Sequence, residues 1–143
     1  MNLARIALWL LCLLTMPATV CGQSIAGVWK VVSDRSPDAG SQVELFTLKG
    51  RLYGKVVRQT KAAPGKRCVN CPGERRNQPI VGMIVVVDMV GSGARWEGGR
   101  LLDTDEGKWY DCTIGFKPGD ADTLVVRGHQ GAFFRTQNGY RVK

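Results

Sequence analysis

The chain has 143 residues, of which 20 are basic and 12 acidic, so its formal net charge is +8. This length suits one domain with its own core, and no second domain is expected. The positive charge favours anionic partners such as a lipid headgroup surface or an acidic polymer, although a soluble basic protein is the simpler interpretation.

Residues 1–22 have the three parts of a secretory signal peptide. Arg5 lies in the charged head, residues 6–16 form an unbroken apolar core, and a small-residue tail begins at Pro17. The apolar core is too short to remain as a membrane-spanning helix. The sequence therefore predicts cleavage after Gly22 and a secreted mature chain, residues 23–143, that forms one domain and does not cross a membrane.

Alternation of apolar and polar residues in the mature chain predicts about eight short antiparallel strands. Residues 80–90 are its most apolar part, which is typical of a strand covered on both faces. No segment has the caps of a convincing helix. Six of the strands are expected at 27–32, 41–48, 51–58, 80–90, 122–130 and 134–142. The other two are the arms of a hairpin around 96–112, and the second arm continues to 116.

The hairpin at 96–112 is the most clearly patterned stretch of the chain. Two alternating segments flank an acidic connection that is closed by Gly107. We expect Asp103 to cap this connection with its own side chain, as residues in Asx turns do. The core-facing side chains of the second arm are expected to be Tyr110, Cys112, Ile114 and Phe116.

Residues 59–79 interrupt the strand pattern with three prolines, two glycines and a run of basic residues. A loop of this length in a compact domain is usually functional or mobile. Cys68 and Cys71 in its middle predict a loop disulfide in an oxidising compartment. A metal site that also uses Cys112 and His129, and redox catalysis, are the less favoured alternatives, because the helix and βαβ unit of a thioredoxin-type site are missing.

Eight antiparallel strands in about 120 residues close most economically into an up-and-down β-barrel, because closure removes exposed strand edges. Glycines inside the strands, including Gly54, Gly99 and Gly128, favour the sharp coiling that a barrel needs. The predicted fold class is therefore an all-β antiparallel barrel, with a two-sheet β-sandwich as the alternative.

A series of short motifs runs in order along the mature chain. They include Gly-Val-Trp-Lys at 27–30, Leu-Tyr-Gly-Lys-Val-Val at 52–57, Cys-x-x-Cys at 68–71, Trp-Glu-Gly-Gly at 96–99, Gly-Lys-x-Tyr-x-Cys at 107–112 and Arg-Thr-Gln at 135–137. Together they resemble the bacterial family catalogued as domain of unknown function 2147. The resemblance implies a small secreted protein, expected in the periplasm, with a lipocalin-like barrel and no established activity. Residues 130–134 depart from the family pattern, because they are shorter and more aromatic.

The first and last strands are also similar to the lipocalin arrangement. Gly27 and Trp29 form a Gly-x-Trp on the first strand, and in lipocalins an arginine of the last strand lies over this indole at the closed end of the barrel. The resemblance implies that Arg135 or Arg141 takes this position. Such a cation–π contact contributes about 0.5 to 2 kcal/mol.

A barrel of about eight strands holds at most one small ligand at its mouth. The leading hypothesis is therefore an envelope protein that binds a small apolar or amphipathic molecule, with the loop at 59–79 as a lid whose basic residues attract an anionic head group. If bulky side chains fill the interior, no pocket remains. The candidate ligand-binding residues are Tyr53, Trp96, Tyr110, Phe116, Lys66 and Arg67.

The alternative hypothesis is an interaction module that docks a protein or an anionic envelope surface through its outer face or its basic loop. An enzyme is not expected, because no nucleophile and base are recognisable and the single histidine, His129, fits a surface position on a strand. No catalytic residue, metal or cofactor is assigned. Nucleic acid is not an expected partner, because the chain has no phosphate-binding glycine loop and its basic loop has few aromatic residues.

Overall fold

Eight antiparallel strands close into a single barrel in the computed structural model, which describes residues 22–32, 40–60 and 65–143. The predicted signal peptide lies, as far as residue 21, outside these described residues. Each strand pairs with its neighbours in sequence, and the last pairs with the first. The predicted barrel is confirmed. The strands are β1 (Gly27–Val32), β2 (Gly40–Leu48), β3 (Arg51–Thr60), β4 (Ile84–Ser92), β5 (Arg95–Asp103), β6 (Lys108–Lys117), β7 (Asp120–Gln130) and β8 (Phe133–Arg141).

The two ends of the barrel differ in their connections. At the closed end, tight turns at 49–50, 93–94 and 118–119 join consecutive strands. Lys49 and Gly50 both have positive φ, 50° and 75°, which matches the twist of a hairpin turn. At the open end lie the long connection between β3 and β4, the β5–β6 turn at 104–107 and the β7–β8 turn at 131–132.

Trp29 anchors the closed end. Its side chain is almost completely buried, its indole Nε1 donates a hydrogen bond of 2.9 Å to the carbonyl of Ile25, and its ring lies 6.3 Å from that of Phe116. The guanidinium of Arg141 lies over the indole at 4.2 Å from the ring centroid. Arg141 also forms an ion pair of 3.2 Å with Asp122.

The structure assigns Arg141, and not Arg135, to the lipocalin-like position over Trp29. Trp29 and Arg141 are directly opposite each other in the pairing of β1 with β8. Arg135 comes six residues earlier, which places it about 20 Å away along the strand. It therefore lies at the open end, and the expectation that Arg135 is a structural residue at the closed end was wrong.

The apolar stretch at 80–90 is only partly a strand. β4 begins at Ile84, whereas Ile80 and Met83 are buried within the preceding connection. Gly82 has φ of 93° and its N–H donates to the carbonyl of Val56 at 2.7 Å, so the backbone turns here. The expectation of burial on both faces was also wrong, because Val90 is exposed.

Replacement of Arg141 by Ala tests the importance of barrel closure. We expect the free energy of unfolding to fall by about 2 kcal/mol, because the cation–π contact and the hydrogen bonds to the Ser24 and Ala121 carbonyls are lost together. Arg127→Ala is the matched control. Arg127 also lies over an aromatic ring, that of Phe134 at 5.5 Å, but it is exposed. Equal losses in urea denaturation of the two variants would contradict the assignment.

Candidate functional site

The open half of the barrel encloses a cavity of about 750 Å³. Its floor is formed by the indole of Trp29, and its walls are apolar side chains from seven of the strands. The rim carries polar and charged groups. The apolar lining residues are Trp29, Val31, Val43, Leu45, Val56, Val85, Val86, Leu101, Leu102, Ile114, Leu124 and Val126, with Phe133 and Phe134 at the lip, and the polar ones are Ser41, Gln59, Thr60, Lys66, Asp103, Thr104, Asp105, Tyr110, Arg135 and Gln137.

On β7 the inward-facing side chains become smaller towards the open end, which leaves room for the cavity there. Along β7, Leu124 and Val126 face inward and are followed by Gly128. A Cβ at Gly128 would already contact the Cβ of Tyr110 at 3.4 Å, so glycine leaves room for this ring. Strand alternation fixes which positions face inward, and residue size then decides whether the interior is filled.

The β5–β6 turn supplies the acidic groups of the rim. Asp103 Oδ1 accepts hydrogen bonds from the backbone N–H groups of Asp105 and Glu106, each at 2.9 Å. This confirms the predicted cap. The hydroxyl of Tyr110 donates to Glu106 Oε2 at 2.5 Å, and this hydrogen bond to a carboxylate raises the pKa of the tyrosine above its usual value.

The basic groups of the rim are paired with these acids. Arg135 Nη1 lies 3.4 Å from Asp103 Oδ2, and Lys66 Nζ lies 2.8 Å from Asp105 Oδ1. Both pairs join residues that are far apart in sequence. The rim is therefore charged but close to neutral.

Residues 65–83 pack against the β5–β6 turn. The predicted disulfide between Cys68 and Cys71 is present, and both cysteines are buried. Asn70 Nδ2 donates to the carbonyl of Asp105 at 2.9 Å. Gly107 has φ of 68°, and a Cβ at this position would overlap the backbone of Asn70. A stacked contact also fixes this segment, because the guanidinium of Arg75 lies 5.1 Å from the ring centroid of Trp109.

Through these contacts residues 65–83 form a brace that holds the long connection against the β5–β6 hairpin, whereas a lid was expected here. Arg67, one of the predicted ligand-binding residues, donates to the Asn77 carbonyl at 2.9 Å within the segment and does not line the cavity. Lys66 does line it. Local pairing of basic groups explains the difference, because composition alone does not show which of them are already engaged.

The predicted aromatic residues have different locations. Tyr110 lines the cavity, whereas Phe116 packs on Trp29 at the closed end. Trp96 is buried and pairs with Ile114, but it is not part of the cavity lining. Tyr53 is on the outer surface, where its hydroxyl donates to Asp88 Oδ1 at 2.9 Å.

The prediction that Tyr53 faces inward was wrong because of strand parity. Leu52, Gly54 and Val56 are the buried, inward positions of β3. Tyr53 shares the opposite face with Lys55, whose ion pair with Glu44 lies in solvent. The charged Lys55 is the signal in the sequence that would have assigned this face correctly.

Sequence reasoning missed several lining residues of β3 and β8. Arg135 and Gln137 alternate along β8 with exposed positions and point to the interior. Phe133 and Phe134 lie at the lip of the cavity and are 83% and 68% exposed. In the sequence, polar residues at inward positions near a strand end indicate a barrel mouth that water can enter.

Cys112 is a buried free thiol on β6. Because Cys68 and Cys71 are joined in a disulfide, the zinc site that combines them with Cys112 and His129 is not supported. Within the ranges that the structure describes, no group of His, Cys, Asp and Glu side chains is arranged to hold a metal ion. The same residues include no helix with the length and apolar character required to cross a bilayer.

Comparison with known proteins agrees with this architecture. The model of a family described as "Uncharacterized protein conserved in bacteria (DUF2147)" matches residues 27–141. Among solved structures, a protein from the human pathogen Helicobacter pylori that is described as belonging to the lipocalin family is similar with a TM-score of 0.72 and 18% sequence identity, over 84% of each chain. At this identity the similarity shows the fold alone. None of the curated proteins compared with this chain matches it.

The thiol of Cys112 is expected to be unreactive in the folded protein. Burial raises its pKa from 9.0 to about 12, so it stays protonated at physiological pH. For residues 23–143, Ellman's reagent at about pH 8 should not react within minutes, and one thiol should react after unfolding in guanidinium. The raised pKa also means that the thiol favours the folded state less as the pH rises above 9.0. Rapid labelling of the folded chain would contradict this assignment.

Replacement of Gly107 by Ala tests the packing of the brace. We expect a loss of more than about 1 kcal/mol in the free energy of unfolding, from the positive φ and the overlap with Asn70. Gly119→Ala is the matched control, because Gly119 has a similar φ of 77° but no atom within 4 Å of an added Cβ. If both variants lose the same stability, the contact with Asn70 contributes nothing.

Proposed function

The chain belongs to the DUF2147 family of bacterial proteins, and we propose that it binds a small amphipathic molecule in the open half of its barrel. The observation that carries this proposal is the cavity of about 750 Å³, which has an apolar floor and a polar rim. Ligand sites of proteins are commonly concave, mostly apolar and a few hundred to a thousand Å³ in volume. An apolar tail would lie against Leu124, Val126 and Ile114, with the head group at the rim.

The exposed aromatic side chains at the cavity lip support the same proposal. Phe133 is largely exposed although it borders an apolar cavity. Exposing an aromatic ring to water is unfavourable. A bound tail that contacts Phe133 would cover part of this surface.

The cell envelope is the proposed location. The disulfide between Cys68 and Cys71 suits an oxidising compartment, and the amino-terminal sequence has the pattern of a secretory signal. A periplasmic protein of this kind would hold or transfer its ligand between envelope sites. The prediction that the chain is not an enzyme stays a prediction.

Docking through the basic loop is the less supported function. Of the basic residues in the brace, Lys66 pairs with Asp105, Arg67 bonds the Asn77 carbonyl and Arg75 stacks on Trp109. The carboxylate of Asp105 offsets the charge of Lys66, whereas Arg67 and Arg75 keep their charge but are held against the protein by neutral groups. The cavity, in contrast, is not filled by side chains of the described residues. We therefore place ligand binding first.

A bulky side chain inside the cavity should abolish binding. We expect the neutral dye N-phenyl-1-naphthylamine to gain fluorescence with the wild-type chain, and Val126→Phe to weaken this binding at least about tenfold, or 1.4 kcal/mol. Val126 is buried and lines the cavity. Val125→Phe adds the same ring to the other face of β7 and should leave binding unchanged.

Thermal melting of both variants separates loss of the cavity from loss of the fold. Equal dye binding by wild type and a folded Val126→Phe variant would show that the dye binds elsewhere. Native mass spectrometry of the protein from its own periplasm, before and after denaturation, would then identify any bound molecule that unfolding releases.

A further inference from the structure

The charged residues that line the cavity cancel one another. Two are basic, Lys66 and Arg135, and two are acidic, Asp103 and Asp105. The local charge at the mouth therefore differs from the net charge of +8 for the whole chain.

Each cation at the cavity rim already has a carboxylate within ion-pair distance. The Arg135–Asp103 pair is the more shielded one, with side chains 36% and 19% exposed. A charge pair that is partly removed from water is stronger than one on an open surface. An incoming carboxylate would compete with Asp103 for the positive charge of Arg135, and it would lie beside two like charges, Asp103 and Asp105.

The remaining polar groups of the rim are uncharged. They come from β2, β3, β6 and β8, and each has hydroxyl or amide atoms that both donate and accept hydrogen bonds. The Thr60 hydroxyl donates a hydrogen bond of 2.7 Å to the Gly40 carbonyl, so its oxygen can still accept a hydrogen bond from a ligand. These residues are Ser41, Gln59, Thr60, Tyr110 and Gln137, and Thr104 of the β5–β6 turn adds a further hydroxyl.

We infer that the ligand is an amphiphile with an uncharged, hydroxyl- or amide-bearing head group, and that the cavity discriminates against fatty-acid-type anions. This inference rests on the proposed function and names the class of ligand for the same cavity. It also replaces the expectation that basic loop residues attract an anionic head group. The head would bond the uncharged rim residues while both ion pairs stay intact.

Two probes with the same acyl chain and different heads test this inference. At about pH 8, 1-decanoylglycerol is neutral and decanoate is ionised, and both are used below the concentrations at which they form micelles. Displacement of N-phenyl-1-naphthylamine gives their affinities. We expect the wild-type chain to bind the glyceride at least about tenfold more tightly than decanoate.

Asp103→Asn is the variant that should change this preference. Its remaining carbonyl oxygen keeps the acceptor for the Asp105 and Glu106 N–H groups, while the negative charge 3.4 Å from Arg135 Nη1 is removed. Decanoate affinity should rise about tenfold relative to glyceride affinity. Asp111→Asn is the matched control, because Asp111 is exposed on β6 and does not line the cavity.

Asp105→Asn gives an independent test, because it should free Lys66 in the same way if Asp103→Asn does not fold. Three results would overturn the inference. They are equal or tighter binding of decanoate by the wild type, unchanged decanoate affinity in a folded Asp103→Asn variant, and displacement of the dye by neither lipid. In the last case, dye binding that Val126→Phe abolishes would still support the proposed function, whereas absence of dye binding would overturn both.

Discussion

Closure of the barrel depends on the contact between Trp29 and Arg141. The two residues are direct partners in the pairing of β1 with β8, and the guanidinium covers an indole that is itself buried. This pairing joins the two ends of the described chain. It also seals one end of the barrel with large side chains and ties Arg141 to Asp122 on β7. Because one end is filled in this way, the unfilled volume is confined to the other end.

The same strands therefore perform two tasks along their length. Near the closed end their inward positions carry Trp29, Phe116 and Met89, which supply the apolar burial that stabilises the fold. Towards the open end the inward positions change to Ser41, Gly128 and the polar groups of β8. Open cavities forgo dispersion contacts and lower stability. A chain that keeps one nevertheless is consistent with selection for binding at that end.

Local features of the fold could be predicted from the sequence, and features that depend on distant partners could not. Alternation predicted the strands, and the spacing of Cys68 and Cys71 predicted a disulfide, because these signals lie within a few residues. Closure was predicted from the number of strands, because it removes exposed edges. The inward face of β3 was misassigned at Tyr53, although Lys55 on the same face carried the information. Ile80 was placed in a strand because burial in a turn and burial in a strand have the same apolar composition.

The charge of the cavity mouth is likewise a feature that depends on residues far apart in the sequence. Net charge is a sum over the chain, and it acts on encounter rates and on association with extended surfaces. Ligand selection depends instead on the few groups that a bound head can reach. At this mouth Lys66 meets Asp105, 39 residues away, and Arg135 meets Asp103, 32 residues away. Only the closed barrel brings these pairs together, so a strongly basic chain forms a cavity whose charged lining groups balance.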